Sequence, residues 1–166
     1  MMDFSVFHFP SYDAIDIAEL AVAVEDAGFT SLMFAEHTHV PLVGSTPHPG
    51  GGPIPEFYAK LLDPVVAMTV AAAATSRLGV GTSICIIPPR DPIVLAKQLA
   101  SVEHAAAARV VFGVGVGWNR KELRNHGIDP ARRWELMREN VIAIRELWTQ
   151  PAAEFQIGRA SCRERV

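Results

Sequence analysis

Residues 78–118, LGVGTSICIIPPRDPIVLAKQLASVEHAAAARVVFGVGVGW, contain two apolar runs separated by a helical stretch. Leu78 to Ile87 and Val110 to Val116 are almost continuously hydrophobic, as expected of parallel strands covered on both faces. Asp91-Pro92 opens the helix between them: aspartate accepts from the orphan amides, and proline at the first helical position has no amide to lose. The same dipeptide recurs at Asp63-Pro64 and Asp129-Pro130, each ahead of a helical pattern. The last of these predicts a helix whose core-facing stripe is Trp134, Met137, Val141, Ile144 and Trp148. Toward the N-terminus, Phe4 to Phe9 reads as a strand, and Asp13 as the cap of a helix with Ile17, Leu20, Ala21 and Val24 on one face. Gly28 supplies a stop, and Ser31 to Ala35 forms the next strand. The order β-α-β-α-β-α-β-α defines an α/β chain with a parallel sheet. An open doubly wound sheet and a barrel both fit; four βα units are half of an eightfold barrel of about 250 residues.

Composition narrows the possible roles. With 166 residues, 49% of them hydrophobic and 20% charged, the chain can bury a sizeable core. A formal net charge of −3 gives no basic stripe for nucleic acid. No apolar run is long enough to span a bilayer, and the start, MMDFSVFHFPSYD, lacks the features of a signal peptide. A cytoplasmic protein acting on a small molecule, without nucleic-acid or membrane partners, is the expectation. The last ten residues, IGRASCRERV, read as a translated sequencing adapter. The expected organisation is therefore one partial barrel domain over 1–156 and a non-native tail over 157–166, which takes Cys162 with it.

In a βα barrel, the residues just after each strand converge on one end. Those residues are His8 and Phe9 from the first strand, and Glu36, His37 and His39 from the second. The third contributes Ser83, Ile84 and Cys85; the fourth contributes Gly115, Gly117, Trp118 and Asn119. A carboxylate, imidazoles, small residues and an indole suit a planar heterocycle with polar edges better than a metal, and no HExxH or CxxC spacing occurs. The Pro- and Gly-rich stretch from Thr38 to Lys60 follows a strand and reads as a binding loop or lid, with His39 and His48 as solvated loop histidines. The glycines of Phe112 to Trp118 fail the Rossmann fingerprint, because Trp118 stands where its third glycine belongs. Close packing explains Gly113 better than Gly117. Cys85, inside an apolar run, reads as an inert core thiol.

Three segments together resemble the luciferase-like monooxygenase superfamily, in particular its F420-dependent oxidoreductase branch. They are AVEDAGFTSLMFAEHTHVP (23–41), LLDPVVAMTVAAAATSRLGVGTSICIIPPRDPIVLAKQLASVEH (61–104) and RVVFGVGVGWNRKELRNHGIDPARR (109–133), the last followed by a helix ending in ELW. The resemblance implies the N-terminal half of a (β/α)8 TIM barrel, about four βα units. It places the family's acidic-His pair on Glu36 and His37, with Glu36 beside the cofactor and His37 as the catalytic residue. A strand bulge with a non-proline cis peptide behind the ring falls on Ser83 and Ile84, and a cofactor-approaching turn on Gly115, Val116, Gly117 and Trp118. One departure is Ala106-Ala107-Ala108, where the family usually has Ser-Gly-Gly.

The implied function is hydride transfer between coenzyme F420 and an organic substrate, with a homodimer for the full-length protein and little activity from half a barrel. Two alternatives stand beside it: an FMN-dependent monooxygenase of the same superfamily, and a non-catalytic binding or structural fragment.

Overall fold

The computed structural model describes residues 2–44, 46–157 and 160–164, with side chains up to Phe155. Four strands, β1 (Ser5–His8), β2 (Ser31–Phe34), β3 (Gly79–Ile86) and β4 (Val110–Gly115), form one sheet in that order. Every neighbouring pair is parallel, with Ser5 opposite Ser31, Ser31 opposite Gly79 and Val80 opposite Val110. Sequential order in a parallel sheet is the arrangement of a barrel, not of a doubly wound sheet, whose order reverses at a switch point. β1 and β4 are the two edges.

The helices α1 (Ile17–Asp26), α2 (Pro64–Ala74), α3 (Pro92–Ala105) and α5 (Arg133–Thr149) cover one face of the sheet, and the short α4 (Arg120–Asn125) follows β4. The core lies between sheet and helices. Leu32, Phe34, Val80 and Cys85 from the strands meet Ala21, Met68, Leu95, Leu99 and Ile144 from the helices, all at 2% exposure or less. On the opposite face Phe7, Ile84 and Val111 remain exposed.

The Asp-Pro caps act as the chemistry requires. Asp63 accepts from the amides of Val65 and Val66, Asp91 from those of Ile93 and Val94, and Asp129 from that of Ala131. Three expectations are corrected. Asp16, directly before the first helical residue, caps α1, whereas Asp13 pairs with Lys60. Asp129-Pro130 opens a 3-10 turn over Pro130–Arg132, and α5 starts at Arg133. The buried seam of α5 is Asn140, Ala143, Ile144 and Leu147, while Trp134 and Trp148 lie exposed beside it. Trp148 still donates its indole N–H to the Ala96 carbonyl, 3.1 Å away on α3.

The turn before β4 carries two non-glycine residues in a left-handed backbone. Ala107 and Ala108 have φ of 49° and 64°, a left-handed conformation that costs an L-residue roughly 1–2 kcal/mol. Arg109 secures it, donating to the carbonyls of Ala106, Leu78, Ala72 and Thr75. Beyond α5, the backbones of β5 (Ala153–Ile157) and β6 (Ala160–Glu164) pair antiparallel. That pairing does not bear on the origin of the tail, whose positions 158, 159, 165 and 166 lie outside the described residues. Among the described residues no helix is long and apolar enough to cross a membrane.

Candidate active site at the strand ends

The register of β3 against β4 shifts between Thr82 and Cys85, and the peptide bond inside that bulge, Ser83-Ile84, is cis. The bulge turns Ser83 and Ile84 outward while Thr82 and Cys85 stay buried. Ile84 rests on Gly115, where an added Cβ would lie 2.6 Å from its Cδ1. At Gly117, φ is +70°, a conformation glycine adopts without steric cost, and the chain there turns from β4 to Trp118.

These residues border one cleft of about 140 Å³, with Phe7, Phe9, Ala35, Glu36, His37, Ser83, Ile84, Ile86, Gly117 and Trp118 around it. Six of the eight residues expected at the site therefore share its wall. Gly115 lies behind Ile84, and Val116 is buried. A larger groove of about 340 Å³ runs along the open flank of β4, between Leu99, Glu103, Phe112 and Trp148. It carries none of the strand-end residues and is an edge of the fold, not a reaction centre.

Glu36 lines the cleft, and both its carboxylate oxygens are already engaged. Its Oε2 accepts from the Ile86 amide at 2.6 Å and its Oε1 from Arg90 Nε at 2.8 Å. Arg90 also donates to Asp63 Oδ2 at 2.8 Å. Burial opposes the charge on Arg90, but the Glu36 carboxylate beside it outweighs burial and raises its pKa. The carboxylate thus braces the end of β3.

His37 sits in a chain of hydrogen bonds. Its Nδ1 is 2.7 Å from Glu122 Oε2, and its Nε2 is 3.0 Å from Trp118 Nε1. Glu122 also accepts from the Thr38 amide at 2.8 Å and the Thr38 hydroxyl at 3.0 Å. Burial works to raise the Glu122 pKa, but the hydrogen bonds it accepts from His37 and from the Thr38 amide and hydroxyl hold it below the usual glutamate value. An ionised carboxylate accepts only and an indole N–H donates only. His37 is therefore neutral here, with its proton on Nδ1 and the Nε2 lone pair turned to Trp118.

The Thr38–Lys60 loop packs onto this cluster. Its last residues form a 3-10 turn, Glu56–Lys60, whose Tyr58 is buried 5.0 Å from the His37 ring, centroid to centroid. His48 bonds Tyr58 at 3.3 Å and stands edge-on to Trp118, with its Nδ1 buried and unpartnered. It is not the solvated histidine expected. His39 is likewise engaged, with Thr38 Oγ1 at 2.9 Å and Asn125 Nδ2 at 2.9 Å. Asn119, 2% exposed, caps α4 and receives the Thr46 amide, tying the loop to the same short helix that holds Glu122. The His8 pKa is lowered by burial, and its Nε2 is also unpartnered. Burial pushes the Cys85 thiol far up, as an inert core cysteine requires.

Sequence reasoning missed Glu122, Thr38, Tyr58 and Arg90. Asn119-x-x-Glu122 carries the pattern of a capping box, which accounts for the glutamate as part of its own helix. Its true partners lie on the other side of the site. Among the described residues, no group of three or more His, Cys, Asp or Glu side chains is arranged to hold a metal ion.

Parallel strands in sequential order, helices on one face and a cleft at the carboxyl ends define the N-terminal half of a (β/α)8 barrel with a strand-end site. The chain belongs to the luciferase-like monooxygenase family, which matches residues 2–160. It is 39% identical over 155 residues to the uncharacterized protein Rv0953c of Mycobacterium tuberculosis, covering 92% of this chain and 55% of that protein. To the F420-dependent glucose-6-phosphate dehydrogenase of Amycolatopsis mediterranei it is 30% identical over 145 residues, 85% of this chain and 40% of the relative.

Among solved structures, the monooxygenase RslO1 from Streptomyces bottropensis superposes with a TM-score of 0.79 at 22% identity, covering 99% of this chain and 48% of that one. The oxygenating constituent of 3,6-diketocamphane monooxygenase from Pseudomonas putida, in complex with FMN, gives 0.78 at 15% identity over 100% and 45%. The coenzyme F420 dependent tetrahydromethanopterin reductase of Methanopyrus kandleri gives 0.68 at 19% identity over 98% and 46%. The chain spans about half the length of the curated relatives it matches.

Proposed function

We propose that the chain carries the cofactor-facing half of an oxidoreductase that transfers hydride between coenzyme F420 and a small organic substrate. The observation that carries this reading is the cleft wall itself. Ile84 presents an exposed apolar side chain over Gly115, Gly117 has no side chain to obstruct, and Trp118, Phe7 and Phe9 add flat surfaces. A planar ring fits such a wall, since it takes apolar contact on its face and backbone hydrogen bonds at its edge. Ser83, Ile84, Gly115, Gly117 and Trp118 would hold it, with Val116 contributing backbone and Glu36 keeping the end of β3 in place.

The chemistry a deazaflavin supplies when bound is hydride exchange; the chain's own residues position, exclude water and handle the proton. The His37 imidazole, backed by an ionised Glu122, can accept a proton from a substrate hydroxyl because the carboxylate stabilises the cation that forms. Tyr58, Trp118 and the loop that carries His48 shield that exchange from solvent. The 30% identity with an F420-dependent dehydrogenase supports the cofactor choice.

A second reading, reduced FMN with oxygen as co-substrate, is supported by the likeness to the FMN-bound diketocamphane enzyme. Fluorescence titration of the protein with F420 and with FMN separates the two. The proposal expects saturable quenching by F420 with FMN at least about tenfold weaker, a difference of roughly 1.4 kcal/mol. The reverse order favours the monooxygenase, and no binding of either removes both readings.

A further inference from the structure

We infer that Glu122, which lies outside the cleft, is a positioning residue: it fixes the Nδ1–H tautomer of His37 and thereby holds the Trp118 indole as a proton-controlled wall of the cleft. The tautomer and its partners do not depend on which ring the cleft binds; only the effect on turnover rests on the function proposed above.

The argument is one of donors and acceptors. Both Glu122 oxygens are occupied as acceptors, Oε2 by His37 and Oε1 by the amide and hydroxyl of Thr38. The hydroxyl has one proton to give, so toward His39 Nδ1 at 2.9 Å and His126 Nε2 at 2.8 Å it accepts, and both imidazoles donate to it. Asn125 Nδ2 then donates to the remaining nitrogen of His39. This arrangement gives each of these bonds one donor and one acceptor, and with an ionised Glu122 on Nδ1 and an indole N–H on the other side it leaves His37 Nε2 as the acceptor for Trp118.

Proton uptake by His37 reverses the last bond. An imidazolium carries N–H groups on both nitrogens, so Nε2–H would face the Trp118 N–H across 3.0 Å, donor against donor. The Glu122 side holds, because its carboxylate gains a cation, and the strain falls on Trp118. The indole must leave His37, and it touches His48 of the loop edge-on as well as lining the cleft. Proton transfer from a substrate to His37 is thus coupled to the shape of the cleft and the seating of the loop.

Among the described residues, His39 and His126 reach this pair through the Thr38 hydroxyl, from which Glu122 also accepts. Glu122 faces the pair from α4, His48 and Tyr58 from the loop, and Glu36 from the end of β2, the last already paired with Arg90. Asp63 lines a neighbouring cavity with His37 and is paired with the same arginine.

The experiment is nitrogen-15 NMR of the whole chain, following the His37 ring nitrogens and the Trp118 indole N–H from about pH 8 to about pH 5, the range in which imidazoles ordinarily titrate. The expected result is a single Nδ1–H tautomer at the upper end, and a Trp118 indole signal that shifts with the same midpoint as His37. In Glu122→Gln the single tautomer gives way to a mixture, and the indole proton loses at least tenfold of its protection from exchange. His37→Asn keeps the fold and removes the pH-dependent shift of Trp118 that follows the His37 midpoint. An Nε2–H tautomer in the intact protein, or a Trp118 signal that stays put while His37 protonates, overturns the inference. So does an unchanged indole in Glu122→Gln, which decides the matter even where His37 resists protonation. None of these readouts uses a cofactor, so the failure of F420 to bind leaves this result standing and the reverse also holds.

Discussion

Arg90 joins Glu36 to Asp63: one guanidinium donates to the carboxylate at the end of β2 and to the carboxylate that caps α2. Because Glu36 also receives the Ile86 amide, this one contact registers two βα units, β2–α2 and β3–α3, at the end where the cleft opens. Glu36 is 5% exposed, and a charge that deeply buried is tolerated only when paired and hydrogen-bonded.

Removing one member of that pair leaves the other charged and buried. Arg90→Met is expected to lower unfolding stability by about 3 kcal/mol in urea. The double variant Arg90→Met/Glu36→Gln should recover part of that loss, because it no longer buries a lone carboxylate. Strictly additive losses would show that the pair does not act as a unit.

The two glycines of β4 should behave differently. A methyl group at Gly113 would lie 2.3 Å from the Thr82 carbonyl oxygen, a backbone atom that cannot yield. Gly113→Ala is expected to cost more than about 2 kcal/mol and to spoil expression. At Gly115 the obstacle is the far end of Ile84, which can rotate. Gly115→Ala should therefore fold within about 1 kcal/mol of the parent while weakening ring binding about tenfold or more, as read by the fluorescence titration.

The strands and the Asp-Pro helix starts were legible because their signals are local: continuous apolar runs, and a carboxylate one residue before proline. The four-unit order then implied the barrel. What the sequence concealed depends on distant partners. Ile144 is buried as its spacing implies, and Met137 and Val141 pack on the core, yet Asn140, Ala143 and Leu147 complete the seam and the indoles of Trp134 and Trp148 lie at its margin. Glu122 reads as a capping residue of a short surface helix, and only the fold brings it to His37, 85 positions away. Asp13 and Asp16 compete for one cap, and the residue adjoining Ile17 wins. His48 sits in a loop without periodicity, so nothing local marks it as packed.

The turn before β4 offers a test of backbone strain. Ala108 sits at a φ of 64°, where glycine escapes a cost of roughly 1 kcal/mol but loses more freedom on folding. Ala108→Gly is expected to leave stability unchanged or raise it by up to about 1 kcal/mol in thermal and urea unfolding. A loss larger than that would mean the left-handed conformation is not present there.

Glu122 links the site to pH. Its carboxyl is held below the usual glutamate value in the folded chain, so the unfolded state binds a proton more readily than the folded one. The stabilisation this group provides is complete above the unfolded value and disappears as pH falls through the lower folded value. Glu122→Gln should accordingly destabilise the protein at neutral pH, and the gap between variant and parent should close in acid. A gap that is constant with pH would show that the charge on Glu122 contributes nothing.

Amide chemical-shift mapping of the chain with F420 tests most directly whether the strand ends receive a flat redox ring. The account predicts that the largest changes fall on Ser83, Ile84, Gly115, Gly117 and the Trp118 indole, with smaller ones along the loop at His48 and Tyr58. Changes confined to the groove beside Phe112 and Trp148 on the open flank of β4, with the strand ends silent, would contradict it.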